Sequence, residues 1–355
     1  MKRKFTALLV ALVFVLSMLA GCSSVGNSPS SPAVPSPAPS DSKEVYTVKL
    51  SYNTPEADNC LETHYANAFI EYLDTHAPGR FQVDTYPSGQ LGSFSEVYSQ
   101  IADGSVETGI INISALMNID QNLSVWQIPG SFTSNDHCNA TLTDAKALES
   151  FGNIEKTMGT TILAGWSAGA RHFTNNVREL KSPADIKGIV FRVMENNLYV
   201  TMVEALGAVA TPMSSTELYS ALQNGVVEGQ ENPISAIIND MTYEVQKHLT
   251  LDGHVYSIPL FVCNTKWLKS LPQDLQPTVL AASDSARKAA IDFIENLESE
   301  GVGFLQEKNM TVYTPSDSEK EAWLSAVYNG SYSYIADKIG ASKVDNFMAI
   351  VNALK

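Results

Sequence analysis

Ile189-Val190-Phe191-Arg192-Val193-Met194-Glu195-Asn196 heads the 42-residue stretch Arg192–Pro233 whose reading decides the fold. An apolar strand delivers one lone arginine to its carboxyl end. Leu206-Gly207-Ala208 then stops a helix spanning Leu198–Leu206, and Thr211-Pro212-Met213 turns the chain. Ser214 and Glu217 fit an S-x-x-E capping box for a helix that ends at Gly225. Val226-Val227-Glu228-Gly229-Gln230 reads as the next strand, and Glu231-Asn232-Pro233 as a strand-to-helix turn. This order places a permanent cation and an amide where open α/β sheets bind ligands, outside the carboxyl ends of their strands. The planar fork of Arg matches a carboxylate with two parallel hydrogen bonds, which Lys does not.

Upstream the same alternation recurs. Tyr46–Tyr52, Phe81–Tyr86, Val106–Ile113 and Thr161–Trp166 read as strands. Helices are expected over about Cys60–Thr75, around Phe94–Ala102 and over Leu142–Met158. The pattern predicts mostly parallel, doubly wound sheets. Tyr256–Cys263 is apolar and is expected to cross back to the first lobe. Helices dominate from Leu275 onward, with a short strand near Thr311–Tyr313.

The N-terminus carries Lys2, Arg3 and Lys4, then an apolar run from Phe5 to Ala20. Its length suits a signal h-region and is short for a membrane span. Leu19-Ala20-Gly21-Cys22 resembles a lipoprotein lipobox, which implies a lipidated Cys22 after removal of residues 1–21. Residues 23–42 are rich in Ser, Pro and Ala and read, through residue 44, as a solvated tether. About 310 residues remain, enough for two lobes. The formal charge of −15 becomes −15 − 3 = −18 once the three basic leader residues are gone. So acidic a surface argues against nucleic acid as a partner, and an acidic ligand would need local positive charge. Cys60, Cys138 and Cys263 show no metal-like C-x-x-C spacing; their pairing is left open, and three buried thiols are the default.

Several linked motifs resemble the solute-binding proteins of tripartite ATP-independent periplasmic (TRAP) transporters. Besides Arg192–Pro233 they are Tyr86-Pro87-Ser88-Gly89-Gln90-Leu91-Gly92, Asp103-Gly104-Ser105 and Ser182-Pro183-Ala184-Asp185-Ile186-Lys187-Gly188. The resemblance runs from about Tyr46 to the C-terminus. It implies a two-lobe α/β periplasmic-binding-protein-like fold with a ligand cleft between the lobes and crossover segments. The expected boundaries are 45–168 plus about 258–297 for lobe I, and 169–257 plus about 298–355 for lobe II. It implies hinge closure on an organic acid, no reaction, no cofactor and no metal. It also implies delivery to a permease of two integral-membrane subunits, from an extracytoplasmic position anchored by lipid.

The resemblance carries roles to particular residues. Arg192 would pair with the ligand carboxylate, Arg171 would assist it, and Asn232 would supply the orienting amide. Asn112, Ser114, Tyr52 and Asn53 would be polar cleft residues of the first lobe, while Glu195 and Tyr199 would line the pocket behind Arg192. Ser215 stands where the family commonly has an aromatic, which implies a ligand bulkier than a four-carbon diacid or a wetter pocket. Two rival readings have their own signals. Gly165-Trp166-Ser167-Ala168-Gly169 fits the G-x-S-x-G pattern of a serine esterase, with His248 and His254 downstream. A structural adhesion lipoprotein would account for the tether but not for the Arg192–Asn232 arrangement.

Overall fold

A computed structural model describes residues 44–355. The expected signal sequence, Cys22 and all but the last residue of the expected tether lie outside the described residues. In the first lobe β1 (Tyr46–Ser51), β2 (Phe81–Tyr86), β3 (Thr108–Asn112) and β4 (Thr160–Gly165) form a sheet. The second lobe carries β5 (Arg171–Asn175), β6 (Val190–Val193), β7 (Val209–Pro212), β8 (Gly229–Pro233) and β9 (His248–Thr250). β10 (Pro259–Asn264) returns to the first sheet and β11 (Thr311–Tyr313) completes the second. The orders are β2-β1-β3-β10-β4 and β11-β9-β5-β8-β6-β7.

Both sheets are mixed rather than mostly parallel. β10 runs antiparallel to β3 and β4, and β5 runs antiparallel to β8 and β9. The antiparallel strands are those that enter a sheet directly from a crossover, without the intervening helix that a parallel connection needs. Every residue of β3 is buried, as expected of a central strand covered on both faces. The helix Leu61–His76 turns Leu61, Tyr65, Phe69 and Leu73 onto this lobe's core at four-residue spacing. Each such side chain, fully buried, contributes about 1.5–3 kcal/mol.

Four connections join the lobes, the last of them the helix Asp317–Ile339. Residues 166–170 and 255–258 pass side by side, tied by Ala168 N to Ser257 O at 2.9 Å, Ser257 N to Gly169 O at 2.9 Å and Arg171 N to Val255 O at 2.8 Å. Gly169 sits at φ +101°, and a Cβ there would lie 2.0 Å from Glu298 Oε1. The third connection is the 33-residue helix Leu275–Glu307. Its first half lays Val279, Ala282, Ala286 and Ala290 in the first lobe's core, where small side chains allow close approach to Leu61–His76. Its second half puts Leu305 in a cluster with Ile234, Ile237 and Ile238 of the second lobe. Gly301 makes that contact possible, because a Cβ there would come 2.5 Å from Ile234 Cγ2.

The C-terminal helices correct the expected lobe boundaries. Helix Asp317–Ile339 places Trp323 and Val327 in the second lobe's core but Ile335 in the first. Helix Ala341–Ala353 packs Val344, Phe347 and Val351 on the first lobe, with Phe347 edge-on to Trp126 at 4.9 Å. The segment 298–355 therefore divides between the lobes, because its apolar faces match both cores.

Local signals explain other departures. Leu142–Met158 is not one helix, since Asp144 Oδ1 accepts from the backbone N of Lys146 and Ala147 at 2.9 Å and starts a new one. Ser214 caps through Thr216 N rather than Glu217 N, so the expected box does not form. β8 begins at Gly229, not Val226, because Val226 N still bonds Ala221 O in the preceding helix cap. Cys60, Cys138 and Cys263 are buried free thiols. Burial pushes Cys60 and Cys263 up to about 12 and Cys138 higher still, so all three behave as small apolar groups.

Candidate ligand-binding site

The strand ends meet at a cavity between the lobes. Arg192 is the third residue of β6, and Asn232 is the last but one of β8, two positions before the helix Ile234–Asn239. Arg171 opens β5, but that strand is antiparallel, so Arg171 lies opposite Pro233 and next to the carboxyl end of β8. Asn112 ends β3. Arg192, Arg171, Asn232, Asn112, Asn53 and Ser215 all line this cavity. Ser114 and Glu195 line a smaller adjoining recess that shares Arg192, Met194 and Ser215.

The two arginines differ in kind. Arg171 is buried at 1% exposure and engages Glu231 through Nε to Oε2 at 2.5 Å and Nη2 to Oε1 at 2.9 Å. Glu231 Oε2 also meets His254 Nε2 at 3.3 Å, and His254 Nδ1 meets Asp252 Oδ2 at 2.6 Å. Burial alone would raise the Glu231 carboxyl, but Arg171 and His254 hold it at about 2. Burial would lower His254, yet Asp252 and Glu231 push it up to about 9. The chain Asp252–His254–Glu231–Arg171 is thus an internally balanced row of alternating charges.

Arg192 has no such partner. Its Nε donates to Met213 O at 2.9 Å, and no carboxylate forms an ion pair with it among the described residues. The structural pairing with Glu195 that its position allows is not made. Burial pulls its pKa down to about 10, with Glu231 working against that shift and Arg171 adding to it. It is still a cation at neutral pH. A buried cation without a counter-ion costs several kcal/mol, about 3–5 when a pair is broken by removing one member.

Asn232 Nδ2 donates to Gln230 Oε1 at 2.7 Å, and Asn112 Nδ2 donates to Ser257 Oγ at 3.1 Å while its Oδ1 accepts from Ser114 N. The lobes touch around the cavity. Asn53 Nδ2 donates to Ser215 Oγ at 3.4 Å, Asn118 Nδ2 donates to Glu195 O at 2.6 Å, and Asn196 Nδ2 donates to Asn118 Oδ1 at 2.9 Å. Ser215, in place of an aromatic, thus belongs to an interlobe contact.

Two expected pocket residues lie elsewhere. Tyr52 is buried in the first lobe's core. Tyr199 lies behind the site, its ring 5.5 Å from the Arg171 guanidinium and its hydroxyl donating to Gln127 Oε1 at 2.5 Å. The inward face of its helix packs on the core, so closeness in sequence to Arg192 does not bring it to the cavity. Conversely, Glu62, Asn239, Asp240, Ser235 and Ser257 line the cavity and were not expected. Glu62 sits in the first turn of a helix, where an acidic residue ordinarily serves the helix dipole, and Asp240 follows the last turn of another, where a polar residue commonly ends a helix although its charge opposes the dipole. No local pattern separates them from such roles.

Ser167 is not a nucleophile elbow. It is fully buried, its Oγ donates to Asn135 Oδ1 at 2.7 Å, and its N–H donates to Asn139 Oδ1 at 2.9 Å. No histidine bonds it among the described residues; His254 is held by Asp252 and Glu231. The G-x-S-x-G spacing falls on a crossover whose second glycine needs a positive φ.

Two α/β lobes closed over a cavity, with an unpaired arginine at a strand end, define a substrate-binding receptor of the periplasmic-binding-protein class. Residues 51–336 match the DctP model, bacterial extracellular solute-binding protein family 7, and the chain belongs to that family of TRAP solute-binding proteins. These are binding receptors, not enzymes. The chain is 30% identical over 286 residues to a solute-binding protein of Verminephrobacter eiseniae, covering 81% of this chain and 84% of the relative. Its fold is similar to the sugar acid binding protein DctPAm of Advenella mimigardefordensis in complex with galactonate, at TM-score 0.83 and 26% identity over 88% of this chain and 100% of that one. It is also similar to a TRAP periplasmic solute-binding protein of Sulfurospirillum deleyianum with bound succinate, at TM-score 0.81 and 25% identity over 86% and 99% of the two chains. No helix among the described residues is long and apolar enough to cross a membrane.

Proposed function

We propose that this protein is an extracytoplasmic receptor that captures an organic acid in the interlobe cavity and delivers it to a TRAP-type permease of two integral-membrane subunits. Arg192 is the carboxylate anchor. Arg171, held in place by Glu231, and Asn232 orient the bound group. In this reading residues 1–21 are removed, lipid on Cys22 anchors the protein, and residues 23–44 are the tether. The observation that carries the proposal is the buried Arg192 without an ion-pair partner in the cavity. A ligand carboxylate would complete its fork, and the ligands of the two similar structures, galactonate and succinate, are both carboxylates.

Titration calorimetry of the purified protein against sugar acids, hydroxy acids and diacids tests the binding half. The expected result is saturable binding of one acid class that Arg192→Met abolishes. Incorporation of labelled fatty acid into the wild type, but not into Cys22→Ser, tests the anchor.

A further inference from the structure

The cavity that holds Arg192 also holds two carboxylates, and they belong to different lobes. Glu62 comes from the first turn of helix Leu61–His76, and Asp240 follows helix Ile234–Asn239. Neither forms an ion pair among the described residues. Thr54 Oγ1 donates to Glu62 Oε2 at 2.9 Å, and Asp240 has no side-chain hydrogen bond. Asn239 lines the same cavity, is buried at 5% exposure, and its Oδ1 has no partner. A buried polar group left unsatisfied costs about 1–3 kcal/mol, so such an amide marks a place where a polar ligand atom belongs.

The charges point the same way. Arg171, Glu231, His254 and Asp252 balance among themselves, and Arg192 lines the same cavity as the two carboxylates without an ion pair to either. Once Arg192 is matched by a ligand carboxylate, Glu62 and Asp240 have no counter-charge. Burial raises both, Asp240 to about 7, and the nearby Glu62 pushes Asp240 in the same direction. A second ligand carboxylate beside them would be repelled, and an apolar tail would leave two carboxylates and an amide bare.

We infer that the ligand is an acid whose remainder carries hydrogen-bond donors, hydroxyl or ammonium, received by Glu62, Asp240 and Asn239. The inference rests on the proposal that Arg192 takes the carboxylate. It makes this pocket selective for hydroxylated or amino acids against plain diacids, although a similar fold accommodates succinate.

The test is a panel of acids of equal chain length: hexanoate, 6-hydroxyhexanoate, 6-aminohexanoate and adipate, with galactonate as the polyhydroxylated arm. Dissociation constants are measured by calorimetry on the wild type, Arg192→Met, Asp240→Asn and Glu62→Gln. At least one donor-bearing acid should bind about tenfold or more tighter than hexanoate and adipate. The hydroxyl and ammonium arms show which donor is used. Asp240→Asn or Glu62→Gln should shrink that preference about tenfold while Arg192→Met removes binding of every acid. Acids that bind through Arg192 with hexanoate or adipate as tight as the donor-bearing members overturn the inference and leave the receptor reading standing. So does adipate binding that strengthens between pH about 8 and about 6, because a protonated Asp240 would then be donating to it. Binding indifferent to Arg192→Met overturns the receptor reading itself. If the carboxamide variants do not fold, the wild-type panel alone decides.

Discussion

Arg171 and Glu231 form a buried two-point ion pair, Nε to Oε2 at 2.5 Å and Nη2 to Oε1 at 2.9 Å, on neighbouring strands of the second lobe. The pair leaves Arg171 at the cavity wall with its own charge already matched, so the two arginines of the site do different work. Arg171 shapes the wall, and Arg192 is the free charge.

Removing Glu231 strands Arg171. Glu231→Ala should lower folding stability by about 3–5 kcal/mol, the usual cost of orphaning one member of a buried pair. Urea unfolding checks it. A loss below about 1 kcal/mol would mean that Arg171 finds another partner or water.

The same row of charges predicts an alkaline limb. His254 is raised from 6.5 to about 9, so its contribution is full below about 6.5 and is lost as pH rises through about 9. Asp240, raised to about 7, has finished titrating by then and does not confuse the upper part of the range. Stability between pH about 8 and about 9, above the Asp240 titration, should fall in the wild type and stay nearly level in His254→Gln, read as urea midpoints.

Gly169→Ala should cost about 1–3 kcal/mol, since a left-handed φ and a 2.0 Å approach to Glu298 both oppose a Cβ. Ser167→Ala, two residues away, removes the bond to Asn135 and the longer one that its Oγ accepts from Gly169 N at 3.3 Å, and should cost about 1 kcal/mol. Thermal unfolding of the two variants side by side should rank them in that order. Neither variant nor wild type should turn over activated esters.

Asn118 is exposed and bridges the lobes by donating to Glu195 O and accepting from Asn196 Nδ2. Asn118→Ala should leave unfolding unchanged and speed ligand release by about tenfold, the sum of two modest bonds. Stopped-flow dissociation measures it. An unchanged off-rate would mean that closure does not depend on this contact.

Periodicity and punctuation made the architecture readable. The Ile189–Val193 run, the Gly207 stop and the Gly225 cap mark β6 and two helices correctly, and Arg192 and Asn232 fall at the cavity as their turn positions imply. β5 escaped notice because Arg171-His172-Phe173-Thr174-Asn175 is buried on both faces and carries polar side chains whose partners are distant in sequence. Its Arg171 is matched 60 positions away by Glu231. Glu62 and Asp240 escaped for a related reason: a carboxylate at a helix end looks the same whether it faces solvent or a cavity shared with another lobe. Tyr199 failed in the opposite sense, since a residue seven positions from Arg192 lies on the helix face turned to Gln127.

Arg192→Met tests the central claim most directly, because it removes the charge and keeps most of the volume. Calorimetry with the acid that the wild type binds should show affinity reduced by at least about a hundredfold, from the 3–5 kcal/mol of a lost buried partner. Unfolding of the ligand-free variant should show stability equal to or above that of the wild type, since an unmatched buried cation has been removed. A variant that binds within about threefold of the wild type while fully folded would contradict the account.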